Sequence, residues 1–228
     1  MTYATVEQAI SFIRSFGPGC YMAKTDIKSA FRILPVHPDD YHLLGFHWDN
    51  GYYYDRCLPM GCSSSCAIFE EFSTSLEWIA YQFLHDVAIL HILDDFLFIS
   101  PSYQSCLGAL LVFQAICKDI GVPLAPDKTE GPDQVLSFAG IQLDTQSMSA
   151  SLPQDKIYKF IGFIDLYSPL KSITLRQLQS ITGMLNFACQ IILPARAFSR
   201  RLHDLTMGVS KHYHHIRLTS QAKLDMQV

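Results

Sequence analysis

The chain has 228 residues, 49% of them hydrophobic and 17% charged, which excludes wholesale disorder and allows one large domain or two modest ones. Its net charge of −4 hides an asymmetry: residues 1–150 carry 7 Lys/Arg against 17 Asp/Glu, and residues 151–228 carry 10 against 4. The first part has the charge to attract cations, the second to meet phosphate, although two differently solvated surfaces have the same balance.

Thr5-Val6-Glu7-Gln8 has the form of a capping box, and Ile10, Ile13 and Phe16 continue it at helical spacing until Gly17-Pro18-Gly19. Tyr21–Asp26 is predicted as a short strand with an acid at its end. The runs 42–48 and 52–58 flank Asp49-Asn50-Gly51, and Asn-Gly between such runs predicts a hairpin because both residues tolerate positive φ. Residues 67–84 have the apolar spacing of a helix. A second hairpin is predicted from 88–93 and 96–100, turning through Asp94-Asp95. A helix over 103–120 follows, stopped by Gly121 and Pro123, then a tight strand pair over 135–143 around Gly140. From Pro153 the texture is helical: 154–166, 174–189 behind a second capping box at Thr174–Gln177, and 194–206. The texture changes near residues 144–153, with no internal repeat on either side.

Seven cysteines, an odd number scattered among apolar neighbours, do not make a secreted disulfide framework and favour a reducing compartment. Cys57, Cys62 and Cys66 lack the CxxC pair and second cluster of a zinc site. Glu7 and Arg14 interrupt the first apolar stretch, so no signal peptide is expected. Residues 97–117 carry no charge, but Ser100, Pro101, Ser102, Gln104 and Ser105 break them up. The expectation is an intracellular protein, cytoplasmic or nuclear, with no membrane partner.

Asp94 and Asp95 stand between two apolar runs, where two carboxylates leaving water together raise a pKa or cost stability. A divalent cation resolves the conflict, and hard carboxylate oxygens suit Mg²⁺ or Mn²⁺. An exposed Asp-Asp turn needs no metal. Asp26 shifts the balance, because two neighbouring strands with acids at one end can hold two ions about 3.5–4 Å apart for in-line phosphoryl transfer. Alternation along a strand leads us to expect Asp26 and Asp94 to bridge the ions and Asp95 to support from the edge.

These residues fall into a pattern that resembles the reverse transcriptases. Lys24–Phe31 is similar to motif A, Leu58–Phe69 to motif B and Ile92–Asp95 to motif C. Gly121–Lys128 resembles motif D, and Leu136–Gly140 the primer-grip motif E. Five motifs in order are specific together where single matches are not. Leu178–Cys189 is similar to the thumb of retrotransposons of the DIRS-like, tyrosine-recombinase type. The resemblance implies an α+β polymerase palm with an antiparallel sheet and packed helices (1–38 and 60–147), a partial fingers hairpin (39–59) and a helical thumb (148–228). It implies an RNA-directed DNA polymerase using two Mg²⁺ or Mn²⁺ ions, an RNA or DNA template with primer, and deoxynucleoside triphosphates. Protein partners are not indicated.

By the same resemblance Asp26, Asp94 and Asp95 are the catalytic acids and metal ligands, with the Ile27 carbonyl completing a shell. Phe31 falls at the steric-gate position, and Met60 and Gly61 lie beside the incoming nucleotide, Gly allowing close backbone approach. Lys128 faces the pyrophosphate, and Phe138, Ala139 and Gly140 form the turn that holds the primer end. The chain departs from the pattern at Ile92, in place of a frequent Tyr or Phe, at Cys66, in place of a frequent Pro, and at Met60. Only 25 residues precede Asp26, fewer than the fingers segment with its triphosphate-gripping cations occupies in the family. Lys156, Lys159, Lys171, Arg176, Arg196, Arg200 and Arg201 are candidates for sequence-independent phosphate contact. Lys211–His215 is expected to be an exposed, partly ordered tail. Two alternatives stay open: a catalytically silent, truncated remnant that binds nucleic acid, and a nucleotidyl cyclase on a similar palm.

Overall fold

The computed structural model describes residues 3–226. The first capping box forms as expected: both reciprocal bonds between Thr5 and Gln8 are made, and α1 (Val6–Phe16) runs to Gly17 at φ 91°. β1 (Tyr21–Asp26) has the predicted bounds. The next hairpin, β2 (Gly45–Trp48) and β3 (Gly51–Tyr54), is shorter than the sequence suggests. Residues 42–44 finish a 3₁₀ turn begun at Pro38, and the backbone at 56–58 pairs with residues 34–36 instead of extending β3. The turn itself sits one residue earlier than Asn-Gly implies. Asp49 and Asn50 take the left-handed backbone (φ 45° and 59°), and Gly51 opens the second strand.

α2 (Ser65–Tyr81), β4 (Ala88–Ile92), β5 (Asp95–Ser100) and α3 (Tyr103–Asp119) follow. After them come β6 (Glu130–Asp133), β7 (Val135–Phe138), β8 (Ile141–Asp144) and β9 (Ser149–Ser151). The main sheet has the order β4-β5-β1-β6, and its paired neighbours are antiparallel. β6 was not predicted, because Glu130-Gly131-Pro132-Asp133 has the composition of a loop. It is an edge strand made by its partner β1.

A core of fully buried rings fixes the parity of this sheet. Phe96 and Phe98 of β5 and Ala23 of β1 pack with Phe69 and Leu76 of α2 and Phe113 of α3, the Phe96 and Phe113 centroids 4.7 Å apart. Burying an aromatic side chain against this helical layer contributes about 2–3 kcal/mol each. Phe98 pairs with Ala23 and Phe96 with Thr25 across the ladder, so the alternate residues Lys24, Asp26 and Asp95 lie on the opposite face.

The chain divides into two compact units at Ser149/Ala150. The second contains α4 (Gln154–Tyr167), β10 (Ser172–Thr174), α5 (Leu175–Ala188), α6 (Arg196–Asp204), β11 (His215–Arg217) and α7 (Ser220–Asp225). Its core joins Ile173, Leu175, Leu178, Ile181, Leu202 and Ile216. The capping box at Thr174–Gln177 forms in full. The Lys211–His215 segment is better ordered than a loose tail: its carbonyls at His212 and His214 accept from the Arg176 and Leu175 N–H groups that begin α5. The whole is α+β with antiparallel sheets, and among the described residues no helix is long and apolar enough to cross a membrane.

Candidate active site

The turn between β4 and β5 is Leu93-Asp94, one residue before the Asp94-Asp95 turn expected from sequence. Ile92 pairs with Asp95, and Asp95 pairs on its other side with Asp26. Asp95 therefore stands inside a three-strand ladder. Directly opposed antiparallel residues present their side chains on one face, so Asp26 and Asp95 are cross-strand neighbours. Asp94 is tied in through its backbone, its carbonyl accepting from the Ile27 N–H at 2.9 Å. The stretch after Asp26 is clamped as well: the Asp26 carbonyl accepts from Ala125 N–H and the Lys28 N–H donates to the Pro123 carbonyl, both at 2.8 Å. None of these three bonds uses the Ile27 carbonyl, the one expected to complete a metal shell.

Asp94 and Asp95 resist ionisation. Burial pushes the Asp95 carboxyl up to about 6; Lys24 opposes that, Asp26 and Asp94 add to it, and Lys128 opposes it again. Asp94 is also raised, by burial first and by Asp26, against a backbone hydrogen bond and Lys128. The Lys128 ammonium sits on Asp26, with Nζ 3.0 Å from each carboxylate oxygen, and this contact raises its own pKa. Among the described residues no three His, Cys, Asp or Glu side chains already form a group able to hold a metal ion. The donor chemistry nonetheless fits a hard divalent cation: the donors are carboxylate oxygens, they repel one another, and a lysine ammonium stands in as their counter-ion.

Phe31 lies in the 3₁₀ turn Ala30–Ile33 that follows these acids, its ring edge-on to Phe69 of α2 at 5.3 Å. Met60 is 74% exposed, and Gly61 has φ 88° with no atom within 4 Å of where a Cβ would be. Gly61 is thus required by its backbone conformation, with open space beside it. The Ser65 hydroxyl donates to the Pro59 carbonyl at 2.8 Å and ties this loop to the start of α2. In the last motif Phe138 is fully buried, while Ala139 and Gly140 (φ 48° and 77°) make the turn between β7 and β8. Arg32, in the same turn as Phe31, is paired with Asp55. In the second unit Lys156 lies over the Phe187 ring, 4.2 Å from its centroid, and Arg201 pairs with Asp225 at 2.8 Å.

Two groups of residues escaped the sequence reading. Lys24 donates to the Ser137 carbonyl at 3.1 Å and meets Glu130 at 3.1 Å, linking the Asp26 strand to β7 and β6. Glu70 and Glu77 of α2 meet His91 of β4, beneath the Leu93-Asp94 turn. The signal for the second was a polar stripe at 70, 74 and 77, at helical spacing, on a helix that also precedes a lone histidine within an apolar strand.

A family model described as "Reverse transcriptase (RNA-dependent DNA polymerase)" matches residues 4–164. The Pro-Pol polyprotein of feline foamy virus is 24% identical over 212 residues, covering 91% of this chain and 17% of that protein. Protein P of duck hepatitis B virus (strain China) is 27% identical over 214 residues, covering 82% of this chain and 26% of that protein. The chain thus spans about a quarter or less of these relatives. Among solved structures, the foamy viral protease-reverse transcriptase in complex with double-stranded DNA is similar over 100% of this chain and 37% of that one, with a TM-score of 0.70 at 20% identity. The same enzyme in complex with RNA/DNA hybrid gives a TM-score of 0.69 over 91% of this chain and 26% of that one, again at 20% identity.

Proposed function

The chain belongs to the reverse transcriptase (RNA-dependent DNA polymerase) family, and on that premise we propose that it is the nucleotidyl-transfer part of an RNA-directed DNA polymerase. Residues 1–38 and 60–147 act as the palm, 39–59 as a fingers hairpin and 148–228 as the thumb. The observation that carries this reading is the ladder that sets Asp26 beside Asp95, with Asp94 on the adjoining turn and Lys128 on Asp26.

Asp26, Asp94 and Asp95, with the Ile27 carbonyl, are the groups that would hold two Mg²⁺ or Mn²⁺ ions. Such ions lower the pKa of an attacking hydroxyl and neutralise charge on a phosphoryl group in flight. The chain's own residues do the rest. Asp26 and Asp95, raised on a rigid ladder, orient a primer 3′-hydroxyl toward the α-phosphate of a deoxynucleotide. Phe31, braced on Phe69, presents a flat wall that excludes a 2′-hydroxyl. Met60 and Gly61 line the base pair, and the Ala139-Gly140 turn holds the primer end. Lys128 exchanges its bond to Asp26 for one to the departing pyrophosphate, to which it supplies charge and a proton. The basic residues of α4, α5 and α6 track phosphates through salt-dependent contacts. The DIRS-like subtype rests on Leu178–Cys189 alone.

Primer extension on an RNA template with Mg²⁺ or Mn²⁺ tests the reading. Extension by the wild-type chain, abolished in Asp94→Asn and Asp26→Asn, is expected. A second reading, a duplex-binding protein without turnover, is favoured by the Lys128–Asp26 pair closing the site. Folded protein that binds primer-template but extends nothing in either metal selects it.

A further inference from the structure

Below the Leu93-Asp94 turn lies a polar cluster that the proposed chemistry leaves unused. Glu70 is 6% exposed, in the middle of α2, next to the fully buried Phe69. Its Oε2 accepts from the Leu93 N–H at 3.1 Å, and its Oε1 lies 3.4 Å from His91 Nε2. The other ring nitrogen, Nδ1, faces Glu77 Oε2 at 2.5 Å. His91 is itself 6% exposed and stacks on Phe96, centroids 5.2 Å apart and planes 23° from parallel. Thr74 completes the cluster, its hydroxyl 3.4 Å from His91 Nε2 while donating to the Glu70 carbonyl.

Two features give this arrangement a task. A buried carboxylate is costly unless its oxygens are matched, and a backbone amide plus an imidazole flanked by two carboxylates supplies that match. Leu93 has φ 55°, a conformation costing a non-glycine residue about 1–2 kcal/mol, in a turn where glycine or asparagine is the usual occupant. Something outside the turn must hold it there. The Glu70 bond is the contact in place to do so, and it acts on the residue immediately before Asp94.

We propose that Glu70 is a positioning residue for Asp94: its carboxylate holds the Leu93 amide, and His91 with Glu77 holds the carboxylate. The turn is then anchored to α2, and the reach of Asp94 toward Asp26 and Asp95 is set by a side chain that never meets substrate. The catalytic half of this inference rests on the polymerase reading above; the structural half does not.

The test uses the full chain and two readouts. The first is amide hydrogen exchange at Leu93 by NMR, which needs no activity. Glu70→Ala is expected to speed that exchange about ten- to a hundredfold, the weight of a hydrogen bond to a charged group, while the Phe113 amide of α3 keeps its rate. Glu70→Gln keeps the shape and a neutral acceptor of roughly half the strength, so its Leu93 exchange falls between wild type and Glu70→Ala, about threefold to tenfold faster than wild type. Should Glu70→Ala not fold, Glu70→Gln alone decides. The second readout is primer extension, in which kcat falls about tenfold to a hundredfold in Glu70→Ala at unchanged deoxynucleotide KM, and less in Glu70→Gln. Unchanged Leu93 exchange in Glu70→Gln, or a loss that appears in KM with kcat intact, overturns the proposal. A wild-type chain that extends no primer sinks the polymerase reading instead, and Leu93 exchange still decides whether Glu70 holds the turn.

Discussion

Replacing Asp95 by asparagine should stabilise the first unit at neutral pH and lose that effect in acid. Asp95 sits within the β1–β5–β4 ladder, and burial together with Asp26 and Asp94 raises its pKa from 3.8 to about 6. A carboxyl with a raised folded-state pKa binds its proton more tightly when folded than when unfolded. Its stabilising contribution is therefore complete below 3.8 and is lost as pH rises through about 6. The gap is worth about 3 kcal/mol. Asparagine removes the ionisation, so Asp95→Asn should gain up to about 3 kcal/mol over wild type at pH 7.5 and close to nothing at pH 4. Urea unfolding in chelator, at several pH values, measures this. Both tryptophans, Trp48 and Trp78, lie before Ser149, so tryptophan emission reports on the first unit. A gain of the same size at pH 4 and 7.5 would mean that amide packing, and not the buried charge, sets the difference. A loss of stability at pH 7.5 would refute the reasoning outright.

Two further substitutions probe the surroundings of the same strand. Lys128→Ala frees the Asp26 carboxylate from its ammonium, so Mn²⁺ in the absence of nucleotide should bind several-fold tighter by electron paramagnetic resonance; unchanged or weaker binding rejects competition between lysine and metal. Gly131→Ala should cost at least about 2 kcal/mol in the same urea assay, because φ is 91° and a Cβ would lie 2.5 Å from the Met22 carbonyl oxygen of β1. A neutral result would mean that β6 can leave β1 without loss.

Signals that act within a few residues were legible in the sequence. Both capping boxes needed only Thr5 with Gln8 and Thr174 with Gln177, and each forms as the spacing implies. The apolar period of α2 and α3 located both helices within a few residues because one face of each is buried under Phe69, Leu76 and Phe113. What the sequence hid is structure supplied by a distant partner. β6 has no strand propensity of its own and exists because β1 offers an edge. β10 and β11, three residues each, pair across about 40 positions.

The one-residue shift at the Leu93-Asp94 turn has the same origin, and it changes the placement of the acids most. Local preference puts a turn at Asp94-Asp95, since aspartate tolerates turns and leucine does not. The sheet settles it otherwise. Phe96 and Phe98 must face Phe113, which forces Asp95 onto the other face, opposite Asp26, and leaves Leu93 to take the left-handed position. That position is tolerable because Glu70, 23 residues earlier, offers the Leu93 amide a buried acceptor. Parity imposed by an aromatic core thus sets two carboxylates side by side, and the repulsion between them is what a bound cation would relieve.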